Sequence, residues 1–113
     1  MNKIKNKWTI YYKFLRENGL SLEKINPGSN EIALKPKDAI DAINLLEKLE
    51  INLPILGMDR LSEKNGKLNY CIPGWYTNEK NIERNYDYAK RYILESQNFS
   101  DSKNIQSYYV IVI

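Results

Sequence analysis

The run Tyr109-Val-Ile-Val-Ile113 constrains this chain more than any other stretch. A strand sends successive side chains to opposite faces, so five consecutive apolar residues need cover on both sides. Such a strand belongs inside a sheet, with other elements packed above and below it. At 113 residues there is room for one hydrophobic core, and the whole chain, 1–113, reads as a single domain. With 42% hydrophobic and 27% charged residues, the composition is that of a packed fold and not of a disordered chain.

Local signals place the elements that would supply the cover. Ile4, Trp8, Tyr11, Tyr12 and Leu15 fall on one face at helical spacing and predict a helix over 3–17, stopped at Gly19. Asn26-Pro-Gly-Ser-Asn30 is a turn by composition, and Glu31–Leu34 a short strand. Pro36 suits the first turn of a helix running to about Glu50, with Ala39, Ala42, Ile43, Leu46 and Leu49 inward. Leu53–Leu61 reads as a strand. Asn65-Gly66 then predicts a two-residue hairpin, because a type I′ turn needs positive φ at both positions. The return strand is 67–72, broken by Pro73-Gly74, with Trp75-Tyr76 in the loop that follows. A third helix is expected over 82–97, with Asp87, Arg91 and Glu95 as an outer ladder of charges. A polar loop at 100–104 leads into the strand 105–113. The expectation is an α+β fold of order α-β-α-β-β-α-β, with about three helices and a small four-stranded mixed sheet.

Charge is unevenly placed. The net charge is +3, yet Lys3, Lys5, Lys7, Lys13 and Arg16 put five positive charges in the first sixteen residues, leaving the remainder at −2. Residues 1–7 read as a flexible basic start. The stretch from Asp38 to Glu63 is the most acidic, with Asp38, Asp41, Glu47, Glu50, Asp59 and Glu63 against Lys48 and Arg60. No apolar run approaches the roughly 20 residues of a membrane-spanning helix, and no secretory signal follows the lysines. Cys71 is the only cysteine, and a lone thiol suits a reducing compartment, so the expected location is the cytoplasm.

Chemistry is sparse. There is no histidine, which removes the usual general base, the commonest metal ligand and every Ser-His or Cys-His nucleophile pair. The five glycines stand singly, so no phosphate-cradling loop appears. No catalytic, cofactor-binding or metal-ligating residue is assigned, and the expectation is a protein that works by binding. Asp38, Asp41 and Asp59 are carboxylates that an enzyme would need, but surface charge explains them more simply. The thirteen aromatics, nine of them tyrosine, are the stronger signal, because tyrosine combines contact area with a polar tip. Trp75 either plugs the end of the sheet or offers a binding anchor.

Leu53-Pro-Ile-Leu-Gly-Met-Asp59, the Asn-Gly hairpin, Gly74-Trp75-Tyr76 and the tyrosine-rich helix together resemble the bacterial immunity proteins of polymorphic toxin systems, specifically immunity protein family 40. The family pattern has an Ala/Ile/Leu-rich helix, an apolar strand ending in Gly-Gly-Asp, and a tryptophan after the hairpin. Here Gly57, Asp59 and Trp75 match, Gly28 and Ile32-Ala-Leu34 fit upstream, and Met58 replaces the second glycine. The resemblance spans roughly residues 14–112. It implies an α+β fold, no enzymatic activity, and as partner a cognate toxin, often a nuclease, encoded by a neighbouring gene. The expected partner-binding residues are Asp41, Glu47, Asp59, Glu63, Trp75 and Tyr76, since an acidic surface suits a basic, nucleic-acid-cleaving toxin. The alternative is a nucleic-acid-binding module using the basic N-terminal helix, with Trp8, Tyr11 and Tyr12 stacking on bases.

Overall fold

The computed structural model describes the backbone of residues 3–102 and 105–113, and the side chains of 6–71, 74–98 and 105–113. Eight elements follow one another: α1 (Lys3–Asn18), β1 (Leu20–Ser21), β2 (Ile32–Ala33), α2 (Pro36–Lys48), β3 (Gly57–Lys64), β4 (Lys67–Tyr76), α3 (Ile82–Ser102) and β5 (Gln106–Val112). The α+β class, the three helices and the order are those the pattern predicts, with the two-residue β1 added after α1.

The sheet runs β4-β3-β5, and every described strand pairing is antiparallel. A single bridge, Leu34 to Tyr109, sets the β1-β2 pair against the outer side of β5 as a fourth position. Both helical connections, β2–α2–β3 and β4–α3–β5, therefore join strands of the same direction with one antiparallel strand left between them. All three helices pack on one face. Tyr11, Leu15, Ala39, Ile43, Leu46, Tyr86, Ala89 and Ile93 meet Met58 and Tyr109 there in the main core. The other face carries a smaller cluster, where Leu22 and Ala33 cover Leu61, Tyr108 and Val110. β5 is thus covered on both sides, as its unbroken apolar run requires.

The hairpin turns at Asn65 (φ 55°) and Gly66 (φ 80°), the paired positive angles of a type I′ turn. α2 begins at Pro36 with Asp38 in its first turn and ends in a Schellman closure. Glu50 N–H donates to the Glu47 carbonyl at 3.0 Å and Ile51 N–H to the Leu46 carbonyl at 3.2 Å. The left-handed position, usually glycine, is taken by Glu50 (φ 54°).

Five expectations need correction. The strand expected from Leu53 starts at Gly57, because Asn85 holds the Ile55 backbone: Oδ1 accepts its N–H at 2.7 Å and Nδ2 donates to its carbonyl at 2.8 Å. Pro73-Gly74 do not end β4. The partners of Met58 and Arg60 are Trp75 and Cys71, so residues 72–74 face the single Asp59 in a bulge that accommodates a proline without an N–H. α3 continues to Ser102, so the start of the expected polar loop is helical, while 103–104 lie outside the described residues. The charge ladder on α3 does not close into ion pairs; Arg91 lies 5.8 Å over the Tyr88 ring instead. The described ion pair is Lys13–Glu17, at 3.8 Å. Tyr12, expected inward, is 46% exposed and stacks on Trp8. The expected inward side chain of Ile4 and the first two residues of the basic start fall outside the described ones.

Candidate functional site

The β3–β4 register, bulge included, decides which side chains share the face opposite the helices. On β3 these are Gly57, Asp59, Leu61 and Glu63; on β4 they include Leu68, Tyr70 and Tyr76; on β5 they are Gln106, Tyr108, Val110 and Val112. None of these positions is Lys or Arg. The β1-β2 segment covers the Leu61–Tyr108–Val110 part of the face and leaves Tyr70 (40% exposed) and Tyr76 (62% exposed) open.

Gly57 makes the centre of this face possible. Tyr76 is its cross-strand partner, and the tyrosine ring lies where a Cβ on Gly57 would stand. With that space free, the ring leans across β3 and its hydroxyl donates to Asp59 Oδ1 at 2.5 Å. Beside it, the Tyr70 hydroxyl donates to Glu31 Oε1 at 3.3 Å. The same oxygen accepts Asn26 Nδ2 at 3.2 Å and Ser29 Oγ at 3.1 Å, which fixes the Glu31 carboxylate on its loop. Further along, the Glu63 carboxylate stands beside Tyr108. Three carboxylates are each faced by a tyrosine.

Each pairing keeps the tyrosine protonated. The Tyr76 hydroxyl is pushed above its ordinary value first by its hydrogen bond to Asp59 and then by that carboxylate's charge. For Tyr70 and Tyr108 burial comes first, followed by the charges of Glu31 and Glu63. A protonated phenol remains a donor, so it orients the carboxylate without cancelling its charge. A carboxylate held beside a tyrosine ring keeps further lone pairs, an arrangement that receives guanidinium or ammonium groups.

The six residues singled out from the sequence do not share one surface. Asp59 and Tyr76 come together on the open face, while Glu63 lies four residues along β3, beyond the covered Leu61 and beside Tyr108. Asp41 and Glu47 are exposed on α2, in the layer behind the sheet. Trp75, one residue before Tyr76, points to the helices, where it stacks on Tyr92 with centroids 5.7 Å apart; it plugs the core rim. Glu31, Tyr70 and Tyr108 are the members that sequence reading missed. Met58 sits fully buried in regular pairing with Trp75 and Ile111, so the departure from Gly-Gly-Asp leaves the strand intact. Cys71 is half-buried on the helix side, more open than a core thiol.

In the N-terminal helix, Tyr11 is 1% exposed and belongs to the core, so it does not face a nucleic-acid base. Trp8 and Tyr12 stack on each other, centroids 5.7 Å apart. Among the described residues no group of His, Cys, Asp and Glu is placed to hold a metal ion, and no helix is long and apolar enough to cross a membrane.

A comparison with family models matches residues 21–113 to the family described as Immunity protein 40. No curated protein and no solved structure matches the chain.

Proposed function

The chain belongs to the immunity protein 40 family, and from that premise we propose that it silences a cognate bacterial toxin by binding it stoichiometrically through the open sheet face. The observation that carries this reading is the Asp59–Tyr76 and Glu31–Tyr70 cluster on a face whose strand positions hold no basic residue. Carboxylates already oriented by phenol donors lose little freedom on binding, and exposed tyrosine rings bury large area around them. The complement of such a face is a surface rich in Arg and Lys. A toxin that cleaves nucleic acid carries one at its cleft, and occupying the cleft blocks the substrate's phosphates. In this reading inhibition needs no turnover, the complex forms in the cytoplasm, and the toxin is encoded by a neighbouring gene.

Co-expression tests it. The wild-type chain should protect cells from the neighbouring gene's product, and the double variant Glu31→Lys/Asp59→Lys should lose protection while remaining folded by circular dichroism. Equal killing with and without the wild-type chain would remove the proposal. Full protection by the charge-reversed variant would move the contact surface elsewhere.

A further inference from the structure

The sheet is unzipped at one joint. Leu34 and Tyr109 exchange both backbone hydrogen bonds, each 2.8 Å long, and no other β2–β5 pair forms among the described residues. In an antiparallel strand, the N–H and C=O of alternate residues point to the same edge. One step along from the bridge, Ile32 on β2 and Ile111 on β5 therefore aim their backbone groups into the space between the strands. β2 bonds to β1 on its far side, with Leu22 N–H donating to the Glu31 carbonyl at 3.0 Å, and β5 bonds to β3. The facing edges are left open, and a groove of about 800 Å³ lies between them.

The two walls of the groove differ in chemistry. Toward the helices it is mainly apolar, lined by Leu15, Ile32, Leu34 and Ile111, with Tyr12 and Arg16 also contributed by α1. Toward the open face it carries Glu23 and Glu31, the latter already a member of the carboxylate–tyrosine cluster. An occupant in extended conformation would place alternate side chains against these two walls. Free backbone donors and acceptors on a strand edge select a strand, since main-chain pairing supplies affinity and the alternate pockets supply specificity.

We propose that an extended segment of the toxin adds to the outer edge of β5 in this groove, with apolar side chains toward α1 and Lys or Arg side chains toward Glu23 and Glu31. The proposal rests on the immunity reading and names the backbone part of the same contact, which is continuous with the Asp59–Tyr76 surface. The toxin is thereby held in two ways, by side-chain charge on the face and by main-chain pairing at the edge.

Amide hydrogen exchange on the intact chain, alone and with the purified product of the neighbouring gene, tests it. Exchange at Ile111 should slow by about tenfold or more in the complex, because an exposed edge amide becomes paired. Ile111→Pro removes that outward N–H without touching the β3 ladder, and should weaken binding by about tenfold or more. If this variant fails to fold, the wild-type exchange result decides alone. A complex that forms while Ile111 exchanges at its free rate would overturn strand addition and leave the immunity reading standing. Failure of any complex to form would overturn both.

Discussion

Replacing Asn85 with alanine should be the most damaging single change to a polar residue of this chain. Asn85 is fully buried in the first turn of α3 and makes three side-chain hydrogen bonds. It accepts the Ile55 N–H at 2.7 Å and donates to the Ile55 and Glu79 carbonyls at 2.8 and 3.0 Å. Ile55 is itself fully buried, so truncation strands one backbone donor and one acceptor away from water, at about 1–3 kcal/mol each. Glu79 is partly exposed, and water replaces that third bond at little cost. The expected loss is about 2–6 kcal/mol, a large part of the roughly 5–15 kcal/mol of a domain this size. Urea unfolding followed by far-ultraviolet circular dichroism measures it: with a slope of about 1–3 kcal/mol per molar, the midpoint should fall by about 2 M at unchanged slope. Asn85→Asp keeps the acceptor but turns an anionic oxygen toward two carbonyls. It should be at least as damaging at neutral pH and recover in part once acid protonates the carboxyl. A loss below about 1 kcal/mol for Asn85→Ala would refute the assignment of Asn85 as the clamp between the 51–56 segment and α3.

The Tyr11 hydroxyl is buried with no hydrogen-bond partner among the described residues, so Tyr11→Phe should stabilise by about 1 kcal/mol and raise the melting temperature by about 4 °C; a lower melting temperature would reveal a partner. Glu50 holds a left-handed position best suited to glycine, and Glu50→Gly should gain about 0.5–1 kcal/mol in urea unfolding, whereas the same change at Asp41, inside α2, should lose about that much. Burial raises Tyr11, Tyr86, Tyr92 and Tyr109 above the ordinary value of 10.0, so the folded state holds these protons more tightly than the unfolded one. Their contribution to stability is complete below that value and is lost as pH rises above it. Unfolding midpoints should therefore drop steeply in strong alkali, together with tyrosinate absorbance; a stability flat through that range would contradict the burial.

Much of the fold is local enough to read. The Asn65-Gly66 turn, the inward face of α2 and the double cover of β5 each follow from a few adjacent residues whose chemistry admits one conformation. The carboxylate–tyrosine cluster does not, and the reason lies in the bulge. Counting outward from the hairpin turn places Gly74, not Tyr76, opposite Gly57. The two extra residues absorbed beside Asp59 bring Tyr76 into register, and a Pro-Gly pair reads as a strand end unless the partner strand is known. Glu31 reaches Tyr70 only through the fold-back of the β1-β2 segment, across 39 positions of sequence. Asn85 looked like any polar residue near a helix start, because its partner is an irregular backbone segment with no periodic signature. The acidic stretch from Asp38 to Glu63 divides between two layers, since α2 and β3 lie on opposite sides of the core boundary. The neighbours Trp75 and Tyr76 divide in the same way, by strand alternation.

Because β5 lies between β3 and the Leu34 bridge, it joins parts of the chain synthesised long before it. Tyr109 seals the helical side and Tyr108 the opposite side, so neither cluster can close while the ribosome is still short of that segment. Nascent chains should remain open and protease-sensitive until residue 112 has left the exit tunnel, and then collapse in one cooperative step.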